Sequence, residues 1–172
     1  SLTTGKVMVK TDKRHKTLAV TDLFSIQQDS STQQYNYYSK VDGALANALY
    51  LVNLDTVPVV AFARGHNEML TVSDNLSTFT GMLNDNNFEV KEFNMLTDDI
   101  PEDASVVVLG TPTTDYTSEE LSKLEAYLDD EKMASSRTLY VTAYPTQSWA
   151  DMPNLKSFLA EWGLEPQTGV LF

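Results

Sequence analysis

Val57-Pro58-Val59-Val60-Ala61-Phe62-Ala63-Arg64-Gly65-His66-Asn67-Glu68 is the stretch that decides the fold. Its apolar part, VVAFA at 59–63, runs without alternation and then stops at Arg-Gly-His-Asn-Glu. Such a run fits a strand covered on both faces, as in a parallel sheet flanked by helices. SVVVLG at 105–110 and RTLYVTA at 137–143 repeat the pattern, and FEVKEF at 88–93 reads as a further strand.

Helical spacing fills the intervals. Val41, Leu45, Ala48, Leu49 and Val52 fall on one helix face, and Asp55 to Pro58 breaks that helix. Leu76, Phe79 and Leu83 mark the next helix, and Leu121, Leu124 and Leu128 another. The latter opens on Thr117-Ser118-Glu119-Glu120, a capping box in which the threonine caps the helix start and Glu120 reaches back to its amide. A last short helix surrounds Leu155, Phe158, Leu159 and Trp162 and ends at Gly163. Strand–helix–strand order predicts an α/β fold, a three-layer arrangement with a mainly parallel sheet and helices on both faces.

Upstream, KVMVK at 6–10 and residues 16–26 read as two strands able to pair as a hairpin or edge. QQDSSTQQYNYY, 27–38, reads as a polar surface loop with Tyr35, Tyr37 and Tyr38 spread over the surface. The expected division is 1–38, strands and tyrosine-rich loop, and 39–172, the α/β domain, with GVLF at 169–172 as a last strand.

Open α/β sheets bind ligands beyond the carboxyl ends of their strands. Parallel strands bring three loops to that edge. The candidate crevice is then Arg64, Gly65, His66, Asn67 and Glu68 from the first loop, Thr111, Thr113 and Asp115 from the second, and Tyr144 and Gln147 from the third.

Elimination narrows the chemistry. With no cysteine there is no thiol nucleophile, disulfide or thiolate metal site. The two histidines, His15 and His66, lie far apart without H-E-x-x-H, so no metal site is expected. There is no G-x-S-x-G elbow, EF-hand loop or glycine-rich phosphate loop, and no cofactor is expected. With 12 Lys and Arg against 24 Asp and Glu, the formal charge is −12, which disfavours nucleic acid and anionic lipid. A loop-shaping reading accounts for the first loop: Gly65 for a tight turn, Asn67 for left-handed backbone, Glu68 to cap the following helix, His66 to bond across to the neighbouring loop. On that reading His66→Ala leaves the fold intact. No apolar run reaches the roughly 18 residues of a membrane helix. The chain opens at Ser1, as a piece of a longer protein does, with any anchor expected outside it.

Several stretches carry a family resemblance: the helix before PVVAFARGHNE, then DNLSTFTGMLNDNNFEVKEFNM, IPEDASVVVLGTPTTDYTSEELSKLEAYLDD, LKSFLAEWGLEP and GVLF. Together they resemble the auxiliary domain of uncharacterised ABC-type transport systems, the gliding-motility-associated type. In that family a strand leads into Gly-His-Gly-Glu, and Asn67 stands here where the family usually has glycine. DDEKMASSR, 129–137, replaces the family's Gly-Gly turn. The N-terminal KVMVKTDKRHKTLAVTDLF is similar to versions from Gram-positive gut-type bacteria.

The resemblance implies a flavodoxin-like or class I amidotransferase-like sheet without catalytic residues. It also implies a place on the extracytoplasmic face of the cell membrane, held by anchors outside these residues, beside an ABC permease and ATPase subunits. A small-molecule or glycan ligand is compatible. The competing expectation is a hydrolase acting on sugar or cell-wall material through His66, Glu68 and Asp115. Glycoside hydrolysis needs two carboxylates about 5 to 10 Å apart in an open cleft.

Overall fold

The computed structural model describes residues 5–130, 137–167 and 169. The chain forms two compact units, one of residues 1–57 with 85–87, the other of residues 58–84 with 88–172.

In the first unit, β1 (Lys6–Lys10) and β2 (His15–Ala19) form the expected antiparallel hairpin. The strand expected over 16–26 does not run through. Asp22 Oδ2 accepts from the Ala19 amide at 2.8 Å, and Val20–Leu23 closes into one helical turn, α1. The polar stretch after it is a second hairpin rather than a loop: β3 (Phe24–Gln28) pairs antiparallel with β4 (Tyr35–Ser39). Asp29 makes the turn by accepting from the Ser31 and Thr32 amides at 2.8 and 3.1 Å, and Gln33 takes a positive φ of 57°. Aromatic strand preference at Tyr35, Tyr37 and Tyr38 outweighs the low aliphatic content that suggested a loop. Helix α2 (Val41–Asn53) follows, and of the expected apolar face only Ala48 and Val52 are buried, while Leu49 is exposed.

The second unit is the α/β core. β5 (Val59–Arg64), β6 (Glu89–Asn94), β7 (Ala104–Gly110) and β8 (Thr138–Thr142) form one parallel sheet in the order β6-β5-β7-β8. The first strand of this set is flanked by the second and third, the strand order of flavodoxin-type sheets. Because successive side chains alternate faces, Ala61, Ala63, Val107 and Leu109 point to one side, and Val60, Phe62 and Val108 to the other. The first side packs on Leu121, Leu124 and Tyr127 of α4 (Ser118–Leu128) and on Leu155, Phe158 and Leu159 of α5 (Pro153–Glu161). The second packs on Leu76 and on Leu83 of α3 (Ser77–Asp85). The three-layer α/β arrangement expected from the unalternating strands is what the unit has. Phe79 of α3 is exposed, as is Trp162, which the expected last helix includes but which lies just past the end of α5. The expected strand at 169–172 lies outside the described residues apart from Gly169.

Candidate functional site

The strand order reverses between β5 and β7, so the switch point lies where Gly65 to Glu68 meets Thr111 to Asp115. The two loops do meet, and they are zipped together. The His66 carbonyl accepts from the Thr113 and Thr114 amides at 2.9 and 3.1 Å. Thr113 Oγ1 donates to the Asn67 carbonyl at 3.0 Å, and Asn67 Nδ2 donates to Thr114 Oγ1 at 3.1 Å. One step along, the Met69 and Leu70 amides donate to the carbonyls of Thr111 and Gly110 at 3.0 and 2.9 Å. A Cβ at Gly110 would overlap the Leu70 carbonyl oxygen, so glycine is needed there for the close approach.

The third loop joins the second. Gln147 is buried and donates from Nε2 to the Pro112 carbonyl at 2.9 Å, while its Oε1 accepts from the Tyr144 amide at 3.1 Å. The Tyr144 side chain is exposed. Thr111 is buried with a positive φ of 57°, its hydroxyl 2.9 Å from that of Thr142. The expected residues thus gather at one sheet edge, apart from Arg64, which forms an ion pair with Glu92 on β6 at 2.7 Å.

The carboxylates are engaged with backbone. Asp115 accepts from the Asn154 and Leu155 amides, both at 3.0 Å, and so caps α5. Glu68 was expected to cap the helix after it. It instead accepts from the Gly65 and His66 amides at 3.2 and 3.0 Å and holds its own turn. The reason is local: Gly65 at φ 118° and Asn67 at φ 50° curl the backbone over the Glu68 side chain. This Gly65 approach is close, since a Cβ there would lie 2.8 Å from Asn94 Oδ1.

His66 is 2% exposed, stacked on the Tyr116 ring with centroids 3.8 Å apart. Its Nε2 lies 2.9 Å from Glu120 Oε1. Glu120 also completes the capping box of α4: its Oε2 accepts from the Thr117 amide and hydroxyl, both at 2.8 Å. Burial pushes the Glu120 carboxyl up, but the bonds from Thr117 and His66 outweigh burial and hold it below its ordinary value. Glu120 is therefore ionised near neutrality, and Nε2 carries the proton it donates. His66 Nδ1 and Tyr116 Oη are buried without a hydrogen-bond partner. Burial, followed by the charges of Glu68 and Glu120, pushes the Tyr116 hydroxyl well above the usual phenol range. A histidine packed this way supports its surroundings, so His66→Ala is expected to keep the fold but at reduced stability.

Glu120 and Tyr116 were not read as partners of His66. The capping box flagged Glu120 only as a helix-start residue, and nothing in the spacing points from residue 120 to residue 66. The same sheet edge carries a small apolar hollow of about 160 Å³, lined by Phe62, Leu70, Val108 and Tyr140 among others and by none of the expected site residues. Among the described residues, no cluster of His, Asp and Glu has the makings of a metal site, and no helix is long and apolar enough to cross a membrane.

The fold and this edge define the class: a doubly wound, three-layer α/β domain whose switch point is closed by its own loops. No protein-family model matches the chain, and no curated protein matches it. A solved structure described as "mmIFT52 N-terminal domain" has a similar fold, with TM-score 0.52 and 18% identity over 66% of this chain and 50% of that one. The chain spans about half the length of that neighbour, and at this identity the likeness shows the fold alone.

Proposed function

We propose that the chain is a non-catalytic, extracytoplasmic binding and scaffolding domain that works beside an ABC permease and ATPase, of the export or gliding-motility type. One observation carries the non-catalytic reading: the acidic groups at the switch point are held by main-chain and side-chain donors of the fold. Asp115 caps α5, Glu68 holds the 65–66 turn, and Glu120 holds Thr117 and His66. A general base or nucleophile needs a lone pair open to substrate. The transporter setting rests on the resemblance of the strand-to-Gly-His-x-Glu stretch and the segments after it.

The competing hydrolase reading draws on His66 Nδ1, which is unpartnered. It is weakened because Nδ1 is buried and because Glu68 and Asp115 are already bonded to backbone amides.

Cross-linking the native full-length protein in membranes, followed by mass spectrometry of its partners, tests the proposal. An ABC permease and ATPase should be recovered. Recovery of soluble partners alone, or turnover of a glycan substrate that disappears in Glu68→Gln, overturns it.

A further inference from the structure

The first unit buries few side chains for its size. Among its described residues Leu18, Ala48 and Val52 are the buried apolar ones, while Val7, Met8, Ile26, Tyr35, Tyr37 and Tyr38 are exposed. Part of this surface is concave. A groove of about 860 Å³ has apolar walls from Val20, Phe24, Ile26 and Tyr37, with Lys6 and Lys40 also lining it. That volume falls within the roughly 300–1,000 Å³ of ligand-holding clefts. Ile26 and Tyr37 are cross-strand partners and both more than half exposed, so the two bulkiest exposed walls are held at fixed spacing.

Charge distinguishes this groove from the rest of the chain. Carboxylates outnumber Lys and Arg by 24 to 12, yet only five of them lie in residues 1–57, against six Lys and Arg. No carboxylate lines the groove among the described residues, and neither Lys6 nor Lys40 has an ion-pair partner there. The strands that line it also have backbone to offer. Among the described residues β1 pairs only with β2 and β3 only with β4, so each keeps one edge without a strand partner there.

We infer that this groove is a docking site for an extended peptide segment of a partner protein, one carrying apolar side chains beside Asp or Glu. The apolar side chains fill the space between α1, β3 and β4, the acidic groups meet Lys6 and Lys40, and the backbone has a free strand edge to pair with. Strand addition of this kind draws affinity from main-chain bonds and specificity from alternate side chains. A concave, apolar groove suits an inserted segment better than a flat lipid surface. The inference is independent of the transporter setting, and its test does not use transporter components.

The test pans a random dodecapeptide library against the intact chain. Recovered peptides should combine aliphatic or aromatic residues with Asp or Glu. Synthesised, they should shift the amide resonances of Val20, Ile26 and Tyr37 and bind about tenfold more weakly to Lys6→Gln/Lys40→Gln, with affinity falling as salt rises. Ile26→Ser, exposed and thus compatible with folding, should weaken binding independently of salt. Circular dichroism of each variant confirms the fold. Basic or charge-neutral selected peptides, equal binding by the lysine variant, no enrichment, resonance shifts elsewhere, or capture instead by vesicles of phosphatidylcholine and phosphatidylserine would each overturn the inference. A concentration-dependent dimer that occupies the groove would do so as well.

Discussion

Glu120 lies 54 residues from His66 in the chain, yet its Oε1 is 2.9 Å from His66 Nε2, with both side chains at most 5% exposed. Through its other oxygen the same carboxylate opens α4 by accepting from Thr117. One side chain therefore starts a helix and anchors the loop that leaves β5.

Removing that carboxylate should cost stability twice over. Glu120→Ala is expected to lose about 1 kcal/mol of capping and a further 1.5–3 kcal/mol or so for a buried bond to a charged group. Urea unfolding measures the sum, and a loss within about 0.5 kcal/mol, the range of an ordinary surface substitution, would show that the pair contributes little.

Acid should find the same residue. The Glu120 carboxyl is held below its ordinary 4.5. A depressed folded pKa contributes stability that is complete above the unfolded value and is lost as pH falls through the folded one. The advantage of the wild type over Glu120→Gln should therefore be full at neutrality and shrink below about pH 4.5. Unfolding midpoints across that range check it, and a gap that widens in acid would contradict it.

His66→Ala removes a ring stacked on Tyr116 and leaves the Glu120 charge short of a donor. The expected cost is about 2–4 kcal/mol, with a lowered melting temperature but a folded far-ultraviolet spectrum at 25 °C or so. An unchanged melting temperature would place His66 outside the supporting packing.

The two glycines Gly110 and Gly81 should respond with opposite sign. A methyl at Gly110 overlaps the Leu70 carbonyl, whereas Gly81 sits in α3 with nothing within 4 Å of an added Cβ. Gly110→Ala should destabilise by about 1–3 kcal/mol through overpacking, and Gly81→Ala should stabilise by roughly 0.5–1 kcal/mol. Thermal melts of the two variants separate the effects.

Asn67 at φ 50° tests the reading of the first loop. Asn67→Gly should be nearly neutral, because glycine takes left-handed backbone freely, while Asn67→Val should cost about 1–2 kcal/mol or more because a branched side chain disfavours it. A Val variant as stable as the wild type would mean the turn has another conformation open to it.

The parallel sheet was legible because its cause is local. VVAFA and SVVVLG are apolar without alternation, and only strands covered on both faces need that. The capping box at Thr117 and Glu120 and the left-handed residue at Asn67 were legible for the same reason, since each is satisfied within a few residues. The second hairpin was hidden because Gln and Asn at 27–36 lower hydrophobicity, while strand pairing depends on which partner lies across the turn. That Asp115 caps α5, that Glu68 turns back on its own amides, and that Glu120 reaches His66 depended on distances set by packing α4 and α5 on Ala61, Ala63, Val107 and Leu109. A sequence lists which side chains are able to bond. Which donors lie within about 3 Å of them is decided only when the layers close.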